Sequence, residues 1–339
     1  MTDDQPGSEH PSSPSKHPRG DFDNRATAAR HDLENQLRAQ RARFEERNEK
    51  LTARTGRNLP AAIGIGAGMG AIVLLSLILF KWIFMIVAAI LVFFMVLELT
   101  NALRTAGRRV PRIPSIATGL AVVPAAYFWK AEGQWLVLLG GIVVISLWRL
   151  VEAALPTGAE STTASATEGR RGGRALFKDL QSGAFVQIYT TFLGSFLALL
   201  TAQPGGQWWT LTALIVVICV DTGAYATGLN FGKHKLAPKI SPGKTWEGFA
   251  GSVGVSMIAG IILSIFMIHQ PWWFGLILGA VFSITATIGD LSESLIKRDL
   301  GVKDISTWLP GHGGFLDRLD SMLPSAVVAY GLYLIFTHH

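Results

Sequence analysis

Asp317 and Asp320 stand three residues apart in FLDRLDS, where the chain enters an apolar run. On a helix that spacing puts both carboxylates on one face, with Arg318 directed away from them. Two carboxylates so close repel each other unless a cation lies between them. A hard ion such as Mg²⁺ takes oxygen ligands of this kind. Just upstream, Gly311, Gly313 and Gly314 let the backbone turn sharply and approach a ligand closely. Among them His312 could donate to a phosphate or move a proton, or serve only as part of the turn. No His/Cys set has zinc-ligand spacing.

Three further stretches carry candidates. In TIGDLSESLIKRDLGVKD a continuing helix would line up Asp290, Ser294 and Lys297 at i, i+4 and i+7, with Arg298 four residues after Ser294. Lys303 and Asp304 follow. An acid, a hydroxyl and cations on one stripe could hold a metal and a phosphate together; an ordinary charged helix end is the plainer alternative. Asp221, in ICVDTGAYATG, lies inside an apolar run, where an ionised carboxylate costs roughly 2.5–3.5 kcal/mol on insertion scales. It therefore calls for a partner, in a structural ion pair or in a site. Its small neighbours Gly223, Ala224 and Gly228 permit close helix approach or leave room for a ligand. The last stretch, GKHKLAPKISPGKTWEG, offers Ser241, Lys244, Thr245 and Glu247 beside a tryptophan, Trp246, that reads as buried. Its GKT is not a phosphate loop, because Pro238 stands where that motif needs its first Gly and no apolar strand precedes it. What remains is a basic, hydroxyl-rich turn suited to an anionic ligand.

The elements that must position these groups are membrane helices. The 339 residues are 49% hydrophobic and 16% charged, with mean hydropathy +0.35, against about 25% charged in a soluble domain. The single cysteine, Cys219, excludes a disulfide framework. Net charge is +6, yet no compact basic domain exists to bind nucleic acid. Taking about 20 apolar residues per crossing, nine spans are expected: 59–80, 82–100, 113–130, 134–154, 184–203, 207–228, 249–269, 271–289 and 322–337. They divide the chain into a polar tail (1–58), four N-terminal helices (59–155), a polar loop (156–183) and a catalytic region (184–339) with loops 229–248 and 290–320. The tail begins too polar for a signal peptide. It is expected to be disordered at first, then a charged helix from Asn24 to Thr55.

Lysines and arginines set the orientation. Of thirty, eleven lie in the tail and four in each of 101–112, 156–183, 229–248 and 290–320. The alternate side receives only Lys81 and Lys130. The N-terminus and both chemically dense loops are thus expected in the cytoplasm. Asp221, Asp290, Asp317 and Asp320 would then lie at one depth, surrounded by Lys244, Lys297, Arg298, Lys303 and Arg318. That is an inventory for metal-assisted phosphoryl chemistry between one substrate from the bilayer and one from the cytosol.

The run from Ser294 to Ser321 resembles the signature of the phosphatidate cytidylyltransferases, or CDP-diacylglycerol synthases. Ser294, Lys297, Arg298, Lys303, Asp304, Pro310, His312, Gly313, Gly314, Asp317, Arg318 and Asp320 fill its positions within 27 residues. DTGAYATG and ISPGKTWEG also resemble family segments, although Gly243 stands where some relatives carry a second lysine. The resemblance implies a divalent metal, Mg²⁺ or a similar ion with a second cation as an option, and the conversion of CTP and phosphatidate to CDP-diacylglycerol and diphosphate. It implies Asp221, Asp290, Asp317 and Asp320 as metal-binding or catalytic acids. Ser241, Lys244, Thr245, Lys297 and Arg298 would hold triphosphate or phosphatidate, with Ser294, Lys303, Asp304, Gly313 and Gly314 in the same substrate site. His312 and Arg318 would stabilise the transition state or leaving group. A homodimer in the inner, cytoplasmic membrane, with its site facing the cytoplasm, is also expected. CDP-alcohol phosphotransferases carry a different motif, which DTGAYATG does not supply. A transporter or scramblase with ion-relaying Asp residues would be expected to show internal repeats and a midplane site; the sequence has no such repeat.

Overall fold

The computed structural model describes residues 59–155, 172–302, 304–306, 308 and 313–337. The tail, residues 156–171, and the candidate residues Lys303, Pro310, Gly311 and His312 lie outside the described residues. The fold is all-α with one small hairpin. Among the described residues nine helices follow in order: α1 (Leu59–Leu79), α2 (Lys81–Thr105), α3 (Arg112–Phe128), α4 (Lys130–Ala154), α5 (Gly172–Thr201), α6 (Gly206–Phe231), α7 (Trp246–Phe266), α8 (Trp272–Leu300) and α9 (Leu316–Thr337). Strands β1 (Lys235–Ala237) and β2 (Ser241–Thr245) join α6 to α7.

Among the described residues, seven of these helices are long and apolar enough to cross a bilayer: α2 and α4 to α9. Helices α1 and α3 occupy the other two expected spans, α3 having 17 residues with Pro124 inside. The outward faces are apolar. On α4, Leu136 is 75% exposed, with Leu139, Val143 and Leu147 beside it; on α7, Ile258, Ile262 and Phe266 do the same. Such faces are stable against lipid, where a helix satisfies its own backbone hydrogen bonds. The protein is a polytopic membrane protein.

One boundary moves. Helix α5 begins at Gly172, so the second part of the expected 156–183 loop is helical. Its middle, Gln187–Phe192, is a π-helical stretch of the kind common near functional sites. Here α5 is fastened to its neighbours by a buried ion pair: Arg149 of α4 donates through Nε (3.0 Å) and Nη2 (2.8 Å) to Asp179 Oδ2. The Arg109 amide donates to Oδ1 of the same carboxylate at 2.9 Å.

Apolar residues of α2, α5, α6, α8 and α9 form the core, including Val96, Leu99, Leu199, Val216, Phe282 and Leu323. Helices α7 and α8 approach so closely that no side chain fits at the glycines of the seam. A Cβ on Gly279 would lie 2.5 Å from the Met257 Cα, and one on Gly275 would lie 2.4 Å from the Ile261 amide nitrogen. Ser256 Oγ donates across to the Gly279 carbonyl (3.0 Å) and lies 2.8 Å from Ser283 Oγ, the hydrogen-bonded small-residue packing of membrane helices. Helix α8 continues past the apolar run to Leu300, as the stripe from Asp290 to Lys297 anticipates. It then stops in a Schellman turn: Gly301 has φ 70°, and Val302 N–H bonds the Lys297 carbonyl at 3.0 Å.

Candidate active site

The hairpin brings the first cation in. Strands β1 and β2 pair antiparallel, Lys235 opposite Thr245 and Ala237 opposite Ser241. Glu247 secures the base, accepting the Lys233 and His234 amides at 3.1 Å each. Thr245 caps α7, its Oγ1 accepting Gly248 N–H at 3.1 Å. Arg298, at the end of α8, donates through Nε to the Ile240 carbonyl in the turn at 3.3 Å. Held at both ends, β2 directs Lys244 Nζ to Asp290 Oδ2, 2.6 Å away. Trp246, read as buried from the sequence, is instead 56% exposed. As the first residue of α7 it lies at that helix's end rather than in the core, as amphipathic rings do at a membrane interface.

The four aspartates resolve into two sets. Asp221 of α6, Asp290 of α8 and Asp320 of α9 lie within electrostatic reach of one another and of Lys244. Ser321 Oγ is 3.3 Å from Asp320 Oδ1 and 3.4 Å from Asp221 Oδ1, so one hydroxyl links two of the carboxylates. The Ser321 amide also donates to Asp320 Oδ1 at 2.6 Å. Asp320 is buried, and Asp221 is exposed. Gly289 permits this convergence, because a Cβ there would meet the Asp320 carbonyl at 2.3 Å. Ser294 Oγ approaches Asp290 Oδ1 at 3.4 Å.

Asp317 forms the second set. Its Oδ1 accepts Lys297 Nζ at 3.0 Å and its Oδ2 accepts Gly314 N–H at 2.8 Å. Gly313 has φ 79°, and a Cβ on it would lie 2.9 Å from Asp317 Oδ2. The cation beside Asp317 is therefore a lysine of α8. Arg318 is exposed and lies within electrostatic reach of Asp221. Asp304 is exposed, and Ser241 is half-buried at the start of β2.

Sequence reasoning passed over three contributors. Glu293 is buried and pairs with Lys297 Nζ at 2.5 Å; its i, i+4 spacing from that lysine was a usable signal. Ser321 ends the signature but took no role there. Glu98 of α2 is 1% exposed and accepts the amides of Phe315 and Leu316 at the start of α9. It is a lone acid in an apolar run, the same signal that marked Asp221.

Among the described residues, no three His, Cys, Asp or Glu side chains form a ready-made metal cage. The donor chemistry nonetheless fits a hard divalent ion. Asp221, Asp290 and Asp320 offer only oxygen, their like charges repel, and Lys244 offsets only part of that charge.

Hydrophobic helices holding a polar centre of carboxylates, lysines and hydroxyls define a membrane-embedded enzyme for charged substrates. The chain matches the model of the cytidylyltransferase family over residues 61–336, and it belongs to that family: it is a nucleotidyltransferase. It is 38% identical over 279 residues to the phosphatidate cytidylyltransferase of Mycobacterium bovis, covering 82% of this chain and 89% of the relative. The Mycobacterium leprae protein of that name is 38% identical over 288 residues, 85% of this chain and 91% of its own. That of Staphylococcus saprophyticus is 43% identical over 142 residues, 41% of this chain and 55% of its own.

Proposed function

We propose that the protein is a phosphatidate cytidylyltransferase. It transfers the cytidylyl group of CTP to the phosphate of phosphatidate, giving CDP-diacylglycerol and diphosphate. A phosphate oxygen of the lipid forms a bond to the α-phosphorus in line, and the bond from that phosphorus to the bridging oxygen breaks as diphosphate leaves. No protein nucleophile is required. The observation that carries this reading is the identity with phosphatidate cytidylyltransferases across 82% of the chain, joined to a family match that spans Asp221, Asp290, Asp317 and Asp320.

Asp221, Asp290 and Asp320 would hold a divalent cation, Mg²⁺ or a similar ion. Such an ion neutralises phosphate oxygens as charge develops on them. Lys244 pairs with Asp290, and Lys297 with Glu293 and Asp317, so each can exchange part of its ion pair for a phosphate oxygen. Arg298, Ser241, Thr245 and Ser294 complete the polar lining. His312 and Arg318 stabilise the transition state or the departing diphosphate. The distribution of Lys and Arg supports a site facing the cytoplasm from the inner membrane, and we propose a homodimer there.

The test supplies purified protein with labelled CTP, phosphatidate and Mg²⁺, beside Asp317→Asn. Wild-type protein is expected to form lipid-linked CDP, and its failure to do so sinks the reading. The variant, deprived of one of the two carboxylates that hold Lys297, is expected to turn over about 10²–10³-fold more slowly. Full activity in it removes Asp317 from the site while the reaction stands.

A further inference from the structure

We infer that Glu98, in the N-terminal helices, is a positioning residue for this reaction: it holds the turn that presents Asp317 to Lys297. The inference rests on the proposed reaction and adds to it a contribution from outside the C-terminal region. Glu98 is 1% exposed, inside a 25-residue apolar helix. A carboxylate in that setting is costly unless its oxygens are satisfied. Among the described residues they are satisfied by the segment that leads into the site. Oε1 accepts the Ser306 hydroxyl (2.5 Å) and the Phe315 amide (3.0 Å), and Oε2 accepts the Leu316 amide (2.9 Å).

The two amides belong to the N-cap and first residue of α9, where N–H groups have no partner within their own helix. A carboxylate from another helix therefore caps that turn and fixes its direction. The next residue is Asp317, whose side chain accepts the Gly314 amide and the Lys297 ammonium. Gly314 is shaped to the same purpose: a Cβ on it would lie 2.7 Å from both Glu98 Oε2 and Ser306 Oγ. One helical turn before Glu98, Phe94 stacks on Phe315 with centroids 4.4 Å apart and planes at 7°, and meets Trp308 edge-on at 5.4 Å. Helix α2 thus grips both ends of the 306–316 segment, by charge and by aromatic contact. Among the described residues, Glu98 hydrogen-bonds to Ser306 and to two backbone amides and pairs with none of the other ionisable site residues, so it acts through the backbone it holds.

The test compares wild type with Glu98→Gln and Ser306→Ala in the assay above, measuring kcat and KM for each substrate together with thermal unfolding. Glutamine keeps the size of Glu98 but sets an amide N–H₂ against an N–H donor, so the turn loses one anchor. Expected is a kcat lower by about a hundredfold, with KM for CTP and phosphatidate unchanged. Ser306→Ala removes one of three bonds and is expected to lower kcat about fivefold, the equivalent of one hydrogen bond. Should Glu98→Gln not fold, Ser306→Ala decides alone. Wild-type kcat in the folded variants overturns the positioning role and leaves the reaction standing, as does a fall in thermal stability alone. Wild-type protein that forms no lipid-linked CDP overturns both.

Discussion

Two aspartate groups, one in each half of the bundle, are built on opposite plans. Asp179 sits between α4 and α5 with both oxygens occupied by Arg149 and the Arg109 amide at 2.8–3.0 Å, and both partners of the ion pair are buried. Among the described residues, Asp221, Asp290 and Asp320 share Lys244, the Ser294 and Ser321 hydroxyls and the Ser321 amide among three carboxylates, with the hydroxyl contacts at 3.3–3.4 Å. A saturated carboxylate has nothing left to offer a ligand and serves to hold helices together. An undersatisfied group of like charges costs stability in isolation, and that cost is recovered only when something positive or something proton-bearing arrives. Saturation, more than burial or charge, separates the structural acid from the functional ones.

The largest effect should come from breaking the saturated group. Asp179→Ala leaves Arg149 buried without its partner, and is expected to cost about 3–5 kcal/mol of stability, read as a lowered unfolding midpoint. Turnover per folded molecule should hold. If Asp179→Ala instead loses activity at full stability, the distinction collapses. Asp290→Asn should behave in the reverse manner, with turnover down about 10²–10³-fold and the unfolding midpoint at or above that of wild type, since a repelling charge is gone. A stability loss matching that of Asp179→Ala would place Asp290 with the structural acids. Smallest is Ser256→Ala in the α7–α8 seam, expected to cost about 0.6 kcal/mol with no change in turnover. It calibrates how much an interhelical hydrogen bond contributes where no charge is involved.

Much of this was legible in the sequence, and the pattern of success follows from physics. Apolar runs locate spans because lipid imposes one strong requirement along the chain. The α8 stripe was legible because i, i+4, i+7 spacing needs only a helix that continues, and Ser294 does approach Asp290. Asp221 was found as a lone acid in an apolar run. Glu98 satisfied the same test and Arg149 nearly so, yet their partners lie 208–218 and 30 residues away, and no local pattern carries that information. The Lys244–Asp290 contact likewise depends on a hairpin whose register is set by its anchors at Glu247 and Arg298. The segregation of Asp317 from Asp320 was hidden for another reason. Their spacing reads as one helical face, and the backbone through Asp320 is helical. Yet Lys297 and the Gly314 amide take Asp317 while Asp320 takes the Ser321 amide beside Asp221 and Asp290, partners that spacing alone does not carry.

The π-helical stretch of α5 has a consequence for phase. Gln187–Phe192 accommodates one residue beyond the α-helical count, and each residue of an α-helix advances the side-chain direction by about 100°. The two ends of α5 are therefore out of step by that angle relative to an uninterrupted helix. The N-terminal end meets α4 through Asp179, and the C-terminal end meets it through Ser195, whose Oγ accepts Gln134 Nε2 at 2.8 Å. A one-residue deletion in this stretch would shorten the helix by little but rotate one of these contacts off its partner. Chain length at this point acts as an angular setting.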